Sequence, residues 1–205
     1  MGYKMKFCQR AYLPFKRGID IFGSALAILL LSPLLLICAI LTKLTSKGPI
    51  LFRQNRLGKN ETVFPFVKFR SMRTDAPQIP PSEMSIEQQK ALVTKWGQFI
   101  RKTSLDELPQ LFNIFLGHMS FIGPRPGQTY DKEGSLVDAR RSHVPSPYLV
   151  KPGLSGYAQI HLHRAHDVDK KAADDSYYVK HISFFLDAKI FIYSFLAVFG
   201  VAKGR

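Results

Sequence analysis

From Ile21 to Leu41 the chain reads IFGSALAILLLSPLLLICAIL, with no charged residue. At about 1.5 Å per residue such a helix reaches roughly the 30 Å of a bilayer core. A helix apolar on every face needs lipid or a large protein around it, and the rest of a 205-residue chain is small for that. The run therefore predicts a membrane segment. Ser32-Pro33 sits at its middle, where proline removes a backbone donor and clashes with the carbonyl four residues back, so a bend is expected. Each half is then too short to cross alone. Lys4, Lys6, Arg10, Lys16 and Arg17 precede the run and Lys43, Lys47, Arg53, Arg56 and Lys59 follow it, so the positive-inside rule assigns both ends to the cytoplasm. Two arrangements satisfy these facts: a re-entrant helical hairpin, or a single-pass anchor whose freed carbonyl is re-satisfied by water or by Ser32.

Twenty-nine Lys and Arg against fifteen Asp and Glu give a net charge of +14, which points to an anionic partner: nucleic acid, phospholipid head groups or a phosphorylated substrate. A nucleic-acid partner leaves the apolar run idle and no reading module is present, so none is expected. A basic adaptor that merely holds anionic lipid is the non-enzymatic alternative. Cys8 and Cys38 form neither a zinc spacing nor a disulfide framework.

After Thr45 the composition turns mixed, with Lys47-Gly48-Pro49 at the boundary, so residues 1–45 read as an N-terminal basic segment plus membrane helix and 46–205 as a cytosolic domain. Ile50-Leu-Phe and Val63 to Arg70 flank the turn-prone Leu57-Gly-Lys-Asn, predicting a β-hairpin over about 50–70 with Pro65 on an edge. Residues 75–85 read as a proline-rich loop and 86–100 as a helix. Leu108 to Leu116 reads as a short helix with Pro109 at its first position and Gly117 past its end; alternatively Ser104 caps it and Glu107 completes a capping box. Gly123–Gly127 and Lys151–Gly156 read as rigid turns, 128–147 as largely helical, and 184–199 as a helix lying in the membrane interface or packed on the core. The fold class is α+β, mostly helical, with a small hairpin and interfacial amphipathic helices.

No phosphate loop, dinucleotide fingerprint, HExxH or CxxC occurs. His161, His163 and His166 have a spacing that fits no common metal site. What stands out is Arg101-Lys-Thr-Ser-Leu-Asp-Glu-Leu-Pro, with adjacent Asp106 and Glu107 near a helix N-terminus and further cations in Lys68-Phe-Arg70 and Pro124-Arg125-Pro126. Acids beside fixed cations suit phosphate chemistry, because a carboxylate can hold Mg²⁺, attack phosphorus or take a proton. The helix terminus and the arginines are expected to keep Asp106 ionised. A capped helix with surface ion pairs is the non-catalytic reading of the same residues.

The runs TSLDELPQLFNIFLGHMSFIGPRP, FVKFRSM, KPGLSGYAQ and YYVKHISFFLDAKI, in this order, resemble the bacterial sugar transferase family, in its small monotopic form. The resemblance extends from Lys16-Arg-Gly-Ile-Asp to Lys189. It implies a polyprenyl-phosphate phosphoglycosyl transferase on the cytoplasmic face of the bacterial inner membrane. Such an enzyme moves a sugar-1-phosphate from a UDP-sugar to undecaprenyl phosphate and releases UMP, priming a glycan that downstream glycosyltransferases extend. By motif, Asp106 is the nucleophile and Mg²⁺ ligand, Glu107 its dyad partner, and Lys68, Arg101 and Arg125 cations near the phosphates. Ser32-Pro33 matches the bend of a re-entrant membrane helix with both ends cytoplasmic. The chain departs from the family where relatives place Asn-Gly-Arg: here His161-Leu-His-Arg164 follows, so Arg164 or His163 stands in for that arginine.

Overall fold

A computed structural model describes residues 3–73, 92–161 and 167–198. Helix α1 (Phe7–Thr45) continues without interruption through Pro14 and Pro33. The carbonyl that Pro33 cannot bond belongs to Leu29, and the Ser32 hydroxyl donates to it at 2.8 Å. One face of α1 carries Gln9, Lys16, Asp20, Ser24, Cys38 and Thr42, all buried. The opposite face leaves Phe15, Ile19, Phe22, Leu26, Leu29, Ile37, Ile40 and Leu44 exposed.

The buried face runs along the rest of the protein for the whole length of the helix. Near its start the Gln9 amide donates to the Lys180 carbonyl (2.8 Å). Asp20 then accepts from the Ser120 hydroxyl and the Phe121 amide, both at 3.0 Å. Ala27, Ile28 and Leu31 pack on the cluster of Phe64, Phe66, Leu111, Ile114 and Met119. Beyond Pro33, Leu34, Leu35, Cys38 and Ala39 pack with Phe69 and Ile100, and the Trp96 indole donates to the Thr42 hydroxyl (3.0 Å). By length and composition α1 is the one described helix able to cross a membrane.

The expected hairpin forms from β1 (Leu51–Leu57) and β2 (Val63–Phe69), antiparallel, with Leu57 opposite Val63 and Leu51 opposite Phe69. Pro65 lies on an open edge, as proline requires, and the Asn113 side chain covers that edge: it donates to the Pro65 carbonyl (2.8 Å) and accepts from the Val67 amide (3.3 Å). Of the helix expected over 86–100, the described part is broken at 93–94, where Val93 pairs with Met72; α2 (Lys95–Lys102) follows, capped by Thr94, which accepts from the Gly97 amide. The proline-rich stretch 75–85 and residues 86–91 lie outside the described residues.

Asp106 and Glu107 belong to a separate 3-10 turn (Leu105–Glu107), entered through Ser104 in the left-handed region (φ 57°). Ser104 makes no capping bond, and Glu107 is engaged elsewhere, so there is no capping box. Pro109 instead stands directly before α3 (Gln110–Leu116), which ends at Gly117 with φ +91°.

Two strands escaped the sequence reading: β3 (Ser120–Ile122), directly before the first rigid turn, and β4 (Gly153–Ser155), inside the second, pair in parallel. A Cβ on Gly153 would lie 2.1 Å from the Gly123 nitrogen, so only glycine permits this approach. The remaining α-helices among the described residues are α4 (Tyr130–Ser142), α5 (Tyr157–His161), α6 (Val168–His181) and α7 (Phe184–Val198). Helix α7 packs on the core through Ile190, buried with Tyr178, Val179 and Ile182, while Phe185, Phe191, Ile192 and Phe195 are exposed.

Candidate active site

Strand alternation puts Gln54 and Arg56 of β1 on the same face of the hairpin as their neighbours Phe66 and Lys68 of β2. The 3-10 turn packs against β2 and brings the acidic pair to this face. Asp106 is buried, whereas Glu107 is partly exposed and forms an ion pair of 2.5 Å with Arg125 from the Gly123–Gly127 turn. Arg101 reaches in from α2, its Nε donating to the Ser71 hydroxyl (2.7 Å). The Lys68 ammonium lies 5.2 Å from the centre of the Phe52 ring. Lys68, Arg101, Arg125 and the acidic pair, distant in sequence, thus come together. Arg164 and His163 lie outside the described residues. Arg70 turns away to donate to the Ser46 carbonyl (2.7 Å), and the His161 ring lies tilted against Tyr157 with ring centres 4.1 Å apart. Among the described residues no group of three His, Cys, Asp or Glu is placed to share a metal.

The two acids are held differently. Glu107 is committed to Arg125, while Asp106 has no hydrogen bond or ion pair with another side chain among the described residues. Burial, reinforced by the charge of Glu107, pushes the Asp106 carboxyl above its ordinary value, against the pull of Lys68 and Arg101. The sequence argument weighed the cations and the helix terminus; desolvation outweighs both. The cations respond in the opposite sense. Burial and the neighbouring Arg101 lower Lys68, and burial lowers Arg101 despite the field of Asp106. A site whose cations are driven toward neutrality is short of negative charge, which a bound phosphate would supply.

The sequence reading counted Arg56 as a flanking charge only. Its guanidinium donates to the Pro126 carbonyl (3.1 Å) and to Gln54 (2.8 Å) and lies 5.3 Å from the Phe66 ring centre. Its Nε is buried without a partner among the described residues, and burial brings the group down to about 10. The period-2 alternation of the hairpin carried this signal, because it sets Arg56 on the Lys68 face.

Behind the Arg125 turn, Arg140 of α4 donates to the Arg125 carbonyl (2.8 Å) and pairs with Asp175 of α6 through contacts of 2.5 and 3.1 Å. Both members of that pair are almost wholly buried, at 2% and 1% side-chain exposure.

A buried carboxylate without a side-chain partner, set beside Lys68, Arg101 and Arg125, is an arrangement able to handle a phosphate group. Residues 11–201 match the bacterial sugar transferase family, and the chain belongs to it. It is 42% identical over 185 residues to the UDP-N-acetylgalactosamine-undecaprenyl-phosphate N-acetylgalactosaminephosphotransferase of Aeromonas hydrophila, covering 87% of this chain and 42% of that protein. Identity to exopolysaccharide production protein PSS of Rhizobium leguminosarum bv. phaseoli is 39% over 184 residues, 87% of this chain and 92% of that one. The UDP-glucose:undecaprenyl-phosphate glucose-1-phosphate transferase of Klebsiella pneumoniae is 40% identical over 195 residues, 90% of this chain and 39% of that protein. The chain therefore spans about two-fifths of the Aeromonas and Klebsiella relatives and nearly all of the Rhizobium one.

Proposed function

We propose that the protein transfers a sugar-1-phosphate from a UDP-sugar to undecaprenyl phosphate through a covalent intermediate on Asp106. The observation that carries this reading is the division of labour in the dyad: Glu107 holds Arg125, and Asp106 is left unengaged between Lys68 and Arg101. Membership of the family supports it, as do relatives named for transfer of a sugar phosphate onto undecaprenyl phosphate.

In the first half-reaction an Asp106 carboxylate oxygen attacks the phosphorus that bears the sugar. An Asp106–phosphosugar bond forms, the bond to the UMP phosphate breaks, and UMP leaves with the electron pair. In the second, an oxygen of undecaprenyl phosphate attacks the same phosphorus and Asp106 leaves as the free carboxylate. Lys68, Arg101, Arg125 and Arg56 bind and orient the phosphate oxygens while charge passes to the leaving group. Glu107 positions Arg125, and burial around Asp106 limits competition from water.

The donor set fits Mg²⁺ in one manner only. Mg²⁺ keeps several waters and takes one or two carboxylates plus substrate phosphates, so Asp106 would be its protein ligand and the diphosphate would supply the rest. When bound, the ion would neutralise charge on the leaving diphosphate.

We read α1, within residues 1–45, as the membrane element of a monotopic protein and residues 46–205 as its catalytic unit, on the cytoplasmic face of the bacterial inner membrane. Gln9 and Thr42, near opposite ends of α1, both bond to that same unit. A straight crossing would pull it through the bilayer, so both ends belong on one side, with the outer apolar faces of α1 and α7 toward lipid. The lipid-linked product would pass to downstream glycosyltransferases.

The test is UMP release by the nanodisc-embedded protein with Mg²⁺ across a panel of UDP-sugars, with and without undecaprenyl phosphate. A stoichiometric burst without acceptor, with labelled phosphosugar on an Asp106 peptide, is the expected result. Wild-type turnover in Asp106→Asn would overturn the assignment.

A further inference from the structure

Away from the acidic pair, a cavity of about 210 Å³ lies between the first turns of α1 and the cytosolic unit. Its charged lining is Lys16, Arg17, Asp20, Lys59 and Lys151. Three of these five have partners. Lys16 pairs with Asp187 at 2.5 Å, and Asp20 is taken up by Ser120 and the Phe121 amide. Arg17 donates to the carbonyls of Ile114 and Phe115 at 2.7 and 2.8 Å, closing the C-terminus of α3. Neither the Lys59 nor the Lys151 ammonium has a hydrogen-bond or ion-pair partner among the described residues. Lys151 nevertheless converges with Arg17, since a Cβ on Gly117 would lie 3.1 Å from Arg17 Nη2 and 3.2 Å from Lys151 Nζ, and Lys59 lines the same cavity. Burial, with Arg17 and Lys59 adding to it, lowers Lys151 against the field of Asp20, so a bound anion would relieve the crowding. With Lys16 neutralised by Asp187, the pocket keeps a surplus of two positive charges.

The position of the cavity indicates where the anion comes from. Phe15 and Ile19, interleaved with Pro14, Lys16, Arg17 and Asp20 on α1, point outward on the exposed apolar stripe. The cavity is thus about one helix diameter, roughly 10–12 Å, from the surface assigned to lipid. A free anion needs no such placement, whereas a head group anchored by acyl chains does.

We propose that this cavity is a second anion site that takes the phosphodiester head group of an anionic phospholipid, with Lys59 and Lys151 as its free ligands and Arg17 as its fixed wall. The site is separate from the phosphate-handling pocket: none of Asp106, Glu107, Lys68, Arg101 or Arg125 lines it. Occupancy would tie the start of α1, the hairpin turn and the β4 approach to the lipid surface and so set the depth of the protein in the membrane.

The test uses the full chain in detergent and native mass spectrometry, with phosphatidylglycerol, phosphatidylcholine and inorganic phosphate as separate probes. Phosphatidylglycerol is expected to be retained in preference to phosphatidylcholine. The double substitution Lys59→Gln/Lys151→Gln is expected to weaken that retention roughly 30-fold, the equivalent of about 2 kcal/mol. Lys59→Arg/Lys151→Arg should restore it, which separates lost charge from lost fold; unfolding of the Gln variant in phosphatidylcholine nanodiscs is the second control. Equal retention by wild type and the Gln variant would overturn the proposal, as would equal binding of the two lipids. Displacement of phosphatidylglycerol by inorganic phosphate at equal concentration would overturn the lipid source. Activity enters none of these readouts, so failure here is distinguishable from failure of the proposed transfer reaction.

Discussion

Replacing Asp175 by leucine strands Arg140, one of the most deeply buried side chains described, without its anion. Breaking one partner of a buried ion pair costs about 3–5 kcal/mol, because the remaining charge has lost its solvent and its counterion. In a protein of this size about 1 kcal/mol moves the unfolding midpoint by roughly 2–4 °C, so a fall of about 6–20 °C is expected. The double variant Arg140→Met/Asp175→Leu removes both charges and should recover to within about 1.5 kcal/mol of wild type. Function should not recover with it. Arg140 also donates to the Arg125 carbonyl, and Arg125 holds Glu107, so the double variant loses the bond that fixes the Arg125 turn. Losing about 1–1.5 kcal/mol of positioning corresponds to roughly a tenfold fall in turnover. Thermal unfolding in nanodiscs and UMP release, measured on wild type, single and double variants, form the assay. A single variant within about 1 kcal/mol of wild type, or a double variant no more stable than the single, would refute the stability argument. Wild-type turnover in the double variant would refute the link to Arg125.

Asp106→Asn should abolish UMP release yet raise the unfolding midpoint at neutral pH. The folded carboxyl lies above its ordinary value of 3.8, so the native state holds the proton more tightly than the unfolded chain and loses stability as pH rises from that value through the folded one. The stability difference between wild type and variant should vanish below about pH 4, and an unchanged difference across pH would contradict it. The same shift predicts that wild-type turnover falls on acidification with an apparent pKa above that of an ordinary carboxylate, read from a pH–rate profile. Glu107→Gln frees Arg125 from its 2.5 Å ion pair and should lower turnover about 10–100-fold without preventing the phosphosugar adduct on Asp106. Gly97→Ala sets a Cβ 1.9 Å from the Ser71 carbonyl oxygen, so α2 must shift, and Arg101, bonded to the Ser71 hydroxyl, shifts with it. A midpoint lowered by several degrees together with reduced turnover is expected; a neutral result would show that α2 is not held against Ser71.

The sequence by itself determined features whose cause is local. Alternation and a turn-prone linker specify the hairpin, because a period of two and a reversal leave little else for those residues to form. Ser32 beside Pro33 carries its own remedy, a hydroxyl that bonds the carbonyl the proline frees. Asp106, Glu107, Lys68, Arg101 and Arg125 were legible as a set because the acids adjoin and their flanking motifs match a family.

What only the tertiary structure decided depends on residues far apart along the chain. The parallel pairing of β3 with β4 joins three-residue strands whose own patterns are too short to register, and it exists because Gly123 and Gly153 let two backbones touch. The upward shift of the Asp106 carboxyl turned on burial, which adjacent residues do not report. Arg56 joined the site only once the hairpin faced the 3-10 turn, and the basic cavity formed only where α1 met Lys59 and Lys151. The apolar content of α1 indicated that it must leave water. Which face would meet protein and which would stay exposed was decided by packing, because hydrophobicity measures the cost of exposure and is indifferent to the partner that relieves it.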